Sequence, residues 1–470
     1  MMMDEQALCY LSLQELSDHL RGGMVTSVEA TRAILNRIRA YSGLNAYLLV
    51  MEETALQAAA QADRELRSEV LRSPLHGVPL AVKDLCWIKG VPTTCASRVL
   101  RDWRPVATAT VVERLEAAGA IIIGKLNQTE FAVAWYHPEL PVPQNPWGSE
   151  LWPGASSSGS GVATAAGLCF GSLGADTGGS IRLPSASCGI VGLKATWGRV
   201  SRYGVFPLAE SLDHVGPMAR TVTDAAMMLA AIAGYDPKDE TSLAAPVDDY
   251  AAAVEEGVSG LRIGIDEAFI TKGTSKEVSS AVLEAVSVLE RLGARIVKVR
   301  SPSVGPARAA AMALMTAEAA AAHESTYPSR ASEYGAGFRS FLEMGAQVRG
   351  QDYAKGQIAR ARFANQVQIM FDQIDLFACP SMPQASVPAT AAVPPDARSL
   401  GFENEEGINR FTIPFNLSRN PTLSLPCGKS PSGPPPSLQL VGRPLGEATL
   451  LRAGRAFERA TDWHNQRPLS

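Results

Sequence analysis

At 470 residues and 46% hydrophobic content, the chain carries enough apolar matter for one large core or several smaller ones. Charged residues make up 19%, the formal net charge is −4, and Lys and Arg are scattered, which speaks against nucleic-acid binding. Seven widely spaced cysteines with no CxxC pair argue against a disulfide framework or a structural zinc site, and for a reducing, cytoplasmic setting.

The opening Met-Met-Met-Asp-Glu lacks the basic-then-apolar order of a secretory signal, and no apolar run is long enough to span a membrane. Residues 1–70 read as helical. Thr26 to Glu29 is a capping box, with Val28, Thr31, Leu35 and Ile38 following at helical spacing. Residues 52–66 form an Ala-rich helix. This part is expected to pack outside the core and to carry no chemistry. Residues 77–84 read as a short apolar strand delivering Lys83 at its end. A helix at 110–118, with Gly119 just past it, leads to a buried strand at 120–124. Strand–helix–strand alternation implies an α/β fold with a parallel or mixed sheet.

Residues 154–192 are rich in Gly and Ser, and within them the run 174–192 has a content that argues against a packed core strand. A helix is expected at 221–233. A strand at 261–265, a helix at 276–292 and a strand at 294–299 form a further unit. Ala-rich helices follow at 306–323 and 352–372, then a buried strand at 375–379 and a Pro/Ala-rich loop at 383–395. Strands at 421–426 and 437–441 are joined by a Gly/Pro turn at 428–436. With no repeat and no clean linker, one domain over 1–470 fits best. Its parts are the helical segment 1–70, a core at 76–217, a helical elaboration at 235–370 and a C-terminal part at 371–470 that completes the sheet.

Ser180 follows two glycines in Thr177-Gly-Gly-Ser180. Free N–H groups beside a hydroxyl are what an acyl-transfer site needs. A second Ser/Gly loop, 153–160, holds Ser156. Lys83 at the end of an apolar strand is a base candidate, because burial disfavours the ammonium form. Ser157 either assists a proton relay or hydrogen-bonds its loop. Asp176 and Arg182 read as a supporting ion pair or as loop anchors, not as acid–base catalysts. Cys188 reads as an inert buried thiol, and His214 as structural rather than catalytic.

These segments, with 124–131, 145–147, 211–217, 421–428 and 438–442, together resemble the amidase signature family in order along nearly the whole chain. The resemblance implies a large mixed central sheet covered by helices on both faces, and no metal or cofactor. It also implies a Ser–cis-Ser–Lys triad. Ser180 matches the nucleophile, Ser156 the bridging serine after a cis peptide bond, and Lys83 the base, with the N–H groups of Thr177, Gly178, Gly179 and Ser180 as oxyanion donors. The two serines stand 24 residues apart, as is usual in the family. Ala155, Ser187 and Ala195 depart from the usual glycine, aromatic and proline, but none removes a triad member.

The implied activity is hydrolysis of C–N bonds in small amides, anilides or carbamates by a monomer or homodimer without a nucleic-acid or membrane partner. Trp135, Tyr136 and Phe206 are the candidate pocket residues. Two other readings stand beside it: the amidase component of a tRNA-dependent amidotransferase, and a non-catalytic binding protein on the same scaffold.

Overall fold

The computed structural model describes residues 4–393, 396–397, 407–430 and 433–469. Eleven strands form one mixed sheet. In chain order they are β1 Tyr47–Val50, β2 Pro79–Lys83, β3 Ile121–Leu126, β4 Gly171–Asp176, β5 Val191–Lys194, β6 His214–Ala219, β7 Arg262–Ile265, β8 Arg295–Lys298, β9 Leu376–Pro380, β10 Thr422–Pro426 and β11 Ser437–Gly442. Their order across the sheet is β1-β3-β2-β4-β6-β5-β10-β11-β9-β7-β8. The β3–β2–β4 trio is parallel, as are β9–β7–β8. The strands between and the β1 edge pair antiparallel.

Every residue of β2, β3, β4, β6, β9, β10 and β11 is buried, so both faces of the sheet are covered there. Helices provide the cover. Among them, Ser27–Ala40 packs on β2, Glu52–Arg67 on β3, Val222–Ile232 on β6, and Glu447–Arg459 on β10 and β11. The Thr26/Glu29 capping box forms in full. No helix among the described residues is long and apolar enough to cross a membrane.

Two expectations are corrected. The first seventy residues are not all helical, because Tyr47–Val50 adds the edge strand β1. The Gly-rich stretch also contains a buried core strand, β4, whose residues 174–176 fall in the run whose glycine and serine content argued against one. Its glycines allow close packing. A methyl group on Gly171 would sit 2.6 Å from Met228 Sδ, and one on Gly174 2.7 Å from Met218 Sδ. The 383–395 segment contains a short helix at Ala389–Ala392, while its positions 394 and 395 lie outside the described residues.

Candidate active site

Lys83 is the last residue of β2 and is fully buried. Its Nζ donates to Ser156 Oγ at 2.7 Å. Among the described residues no carboxylate lies within ion-pair distance of it. Burial therefore dominates, pulling its pKa from 10.5 down to about 7. The adjacent residue is handled oppositely. Asp84 pairs with buried Lys125 at 2.8 Å and accepts from the N–H and hydroxyl of Thr94, while Lys125 also donates to Thr93 Oγ1 at 2.8 Å. Two lysines thus stand near the ends of neighbouring strands, one neutralised by a carboxylate and the other left unpaired.

The Ala155–Ser156 peptide bond is cis. The Ser156 carbonyl accepts from Thr129 N at 3.2 Å. Gly154 has φ +81°, and a Cβ there would lie 2.2 Å from Pro184 Cα, so this loop presses against the segment after Ser180. The Ala155 methyl is accommodated in a small apolar cluster with Trp152, Leu183 and Met382. Ser157 staples the loops together. Its N–H donates to the Ser180 carbonyl at 3.3 Å, and its hydroxyl bridges Ala175 O and Ala175 N at 3.1 and 3.2 Å.

Beyond β4 the chain turns through Thr177–Ile181 into the helix Arg182–Cys188, with Gly179 at φ +134°. Asp176 organises this turn. Its carboxylate accepts from Gly179 N at 2.8 Å and Ile181 N at 3.1 Å. It also meets Arg182 in a bidentate pair at 3.0 and 2.9 Å. Burial pushes the Asp176 pKa up, but Arg182 overcomes this and holds the carboxyl well below the usual range. Arg182 in turn reaches Thr412 O, Gln439 Oε1 and Asn416 Oδ1, at 2.9, 2.9 and 2.6 Å. Of the four N–H groups expected to hold an oxyanion, that of Gly179 is already committed to Asp176. Those of Thr177, Gly178 and Ser180 have no acceptor among the described residues.

Thr177 Oγ1 donates to Asp213 Oδ1 at 2.5 Å, and Asp213 Oδ2 accepts from Leu208 N and Ala209 N at 2.9 and 3.0 Å. Burial raises the Asp213 pKa to about 6. His214 Nδ1 sits 2.7 Å from Leu212 O and 3.1 Å from Asp176 O, and burial drives its pKa well down, so it is neutral. Cys188 is buried and its thiol pKa is pushed up by burial, so it presents no thiolate.

A cleft of about 240 Å³ reaches this turn, lined by Thr177, Asp213, His214, Phe206, Trp87 and Ala132 among others. Phe206 packs 5.2 Å from the Phe131 ring and 5.4 Å from His323. Trp135 is buried against helix Ala336–Ala346, close enough that a methyl on Gly337 would lie 2.4 Å from its Cγ. Tyr136 is half-buried with its hydroxyl enclosed. Of the three expected pocket residues, Phe206 is thus on the cleft and Trp135 is in the packing beside it.

Sequence reasoning missed Asp213, the Asp84–Lys125 pair, and the C-terminal partners Thr412, Asn416 and Gln439. Lys125 carried a usable signal. It follows an apolar run, and a lysine buried there needs a carboxylate, which Asp84 at the end of the neighbouring strand supplies. The C-terminal partners carried none.

The sequence matches the Amidase family over residues 29–451. A protein named "Putative amidase AmiD" from Mycobacterium tuberculosis is 43% identical, over 99% of this chain and 97% of that one. A glutamyl-tRNA(Gln) amidotransferase subunit of Geobacter metallireducens is 40% identical, over 97% and 98%. The solved structure of a peptide amidase from Stenotrophomonas maltophilia superposes with a TM-score of 0.83 at 29% identity, over 96% of each chain.

Proposed function

The chain belongs to the amidase family of C–N bond hydrolases, and from that premise we propose that Ser180 attacks small, uncharged, partly aromatic amides, anilides or carbamates through a Ser156–Lys83 relay. The observation that carries this reading is the 2.7 Å contact from a buried, carboxylate-free lysine to Ser156 Oγ. An amine with its pKa near 7 is unprotonated in a large fraction of molecules at neutral pH, and so can accept a proton.

Ser180 Oγ adds to the substrate carbonyl carbon as its proton passes to Ser156 Oγ, whose own proton passes to Lys83 Nζ. The carbonyl oxygen becomes an oxyanion held by the unengaged N–H groups of Thr177, Gly178 and Ser180. Each such donor contributes about 3 kcal/mol at the transition state. The proton returns through Ser156 to the leaving nitrogen, the C–N bond breaks, and the acyl- or carbamoyl-Ser180 ester remains. Water, giving a proton to the same relay, then hydrolyses the ester and restores Ser180. Phe206 supports an aromatic or apolar acyl or amine group, because its ring lines the cleft that reaches Thr177.

A panel of nitroanilides and nitrophenyl carbamates tests this, together with a fluorophosphonate probe. Hydrolysis of at least one member, and labelling that disappears in Ser180→Ala, are expected. Folded wild-type protein that neither turns over the panel nor takes the label refutes the reading and favours a binding protein on this scaffold. The similarity to an amidotransferase component favours a second reading, glutamine hydrolysis on behalf of a partner protein. Glutaminase activity that appears only with a co-purified partner selects it.

A further inference from the structure

A second cavity, of about 360 Å³, opens where both ends of the chain meet the back of the core. Its walls include Tyr10, Ser12 and Glu15 from the start of the chain, Arg220 before the helix Val222–Ile232, and Arg455 and Arg467 from the C-terminal segment. None of these residues takes part in the chemistry derived above.

The cavity's charge is unbalanced. Arg37 and Arg467 place their guanidinium carbons 4.6 and 4.7 Å from the Tyr10 ring. Arg220 is close enough to add its field to the same phenol. Among the described residues none of these three arginines has a carboxylate within ion-pair distance. Arg37 donates to Ala166 O and the Tyr10 hydroxyl, and Arg220 to the carbonyls of Leu11, Thr164 and Cys169. These neutral partners satisfy hydrogen bonds and leave the charges standing. Arg467 is exposed, with one long bond to Tyr10 O at 3.4 Å, so most of its donors are available.

The neighbouring acids offset only part of this excess. Glu15, a carboxylate on the same wall, accepts from the neutral Ser12 N and Oγ at 2.7 and 2.8 Å. Glu458 takes Arg455 at 2.9 Å and Val222 N at 2.8 Å, and burial lifts its pKa to about 7, so its negative charge is partial at neutral pH. Asp224, fully buried behind the wall, accepts from Gln14 N and lies close enough to Arg220 to offset part of its charge; burial raises its pKa and Arg220 opposes the rise. The helix N-termini that open here already have side-chain caps from Ser12 and Thr221, so the arginines rather than the helix ends define the chemistry.

We infer that this cavity binds a small phosphate-type oxyanion, held chiefly by Arg467, with Arg455 shared between the anion and Glu458, in the field of Arg220 and Arg37. More than one guanidinium stands unpaired, so a multiply charged oxyanion neutralises the site better than a single carboxylate does. Cys188 and Gly189, at the far end of the helix that starts just after Ser180, form part of the same wall. An occupant therefore touches the element that carries the active-site turn, without entering the cleft.

The test is calorimetric titration of inorganic phosphate into the full chain at constant ionic strength, repeated with glycerol phosphate and with acetate. One saturable site is expected for phosphate, with acetate much weaker. Glycerol phosphate binding as well as phosphate identifies an ester-accepting site, and weaker binding identifies one for the free ion. Arg467→Gln should bind phosphate about tenfold more weakly, in line with loss of one charged hydrogen bond. Its thermal melt without phosphate should match wild type, which separates lost binding from lost folding. Arg455→Gln provides the second variant. No saturable heat with wild type, or wild-type affinity in both variants, overturns the proposal. Hydrolytic activity does not enter this readout, so failure of the Ser180 reading leaves the result intact.

Discussion

Replacing Lys83 by Met tests the proton relay most directly, because one substitution has opposite effects on rate and stability. With its pKa near 7 rather than 10.5, Lys83 is a free amine in about three-quarters of molecules at pH 7.5, against about one in a thousand for an ordinary lysine. Burial thus raises the population of competent base by a factor of several hundred. In wild type, kcat/KM should rise with pH and level off above an inflection near 7. Lys83→Met should lower kcat/KM by at least about a thousandfold and erase that inflection.

Glu130, lifted to about 7 by burial, titrates in the same range, so Glu130→Gln is the control and should keep the inflection. Stability moves the other way. A lysine whose folded pKa is depressed binds fewer protons folded than unfolded, so its burial destabilises the protein fully below about pH 7, and the penalty disappears as pH rises toward 10.5. Lys83→Met removes this penalty and loses one hydrogen bond. It should therefore be more stable than wild type at pH 6, by up to a few kcal/mol in urea unfolding, with a smaller difference at pH 10. A flat pH–rate profile in wild type, or an inflection that survives in the Met variant, refutes Lys83 as the base.

Gly179→Ala puts a methyl at φ +134° and 2.5 Å from Thr412 Oγ1, which displaces the turn holding the oxyanion donors. Its kcat should fall by about a hundredfold or more with little change in KM, measured on whichever substrate the panel yields; an unchanged kcat would show that the turn does not set the rate. Asp176→Asn leaves Arg182 buried opposite a neutral amide and should destabilise the protein by about 3–5 kcal/mol in denaturant titration. Because the Asp176 pKa is depressed on folding, its stabilisation is present above the unfolded value of 3.8 and fades as pH falls below it, so the acid limb of stability should be shallower in the variant.

The parts of this molecule that follow local rules were legible in the sequence. The capping box at Thr26, the helices at 276–292 and 352–372, and the strands around Lys83 and at 437–441 all stand within a few residues of expectation. Where burial on both sides removes alternation, as in β4 and β6, glycine and polar residues disguised the strands. Their pairing, Asp176 opposite His214, is a tertiary fact with no local signature. The candidate site divides the same way. Lys83, Ser156 and Ser180 follow from residue type and resemblance, and the structure adds the 2.7 Å lysine contact. The commitment of Gly179 N–H to Asp176 depends on how one turn folds back on its own carboxylate, which spacing does not encode.

Every group assigned to the reaction lies before residue 181, whereas Arg182 is gripped by Thr412, Asn416 and Gln439, separated from it by 230, 234 and 257 positions. During synthesis, the serine and its lysine leave the ribosome long before the residues that brace their turn. A nascent or C-terminally truncated chain therefore carries the reacting side chains without the frame that aims them. On the proposed mechanism, hydrolytic competence then waits until the chain has extended past Gln439.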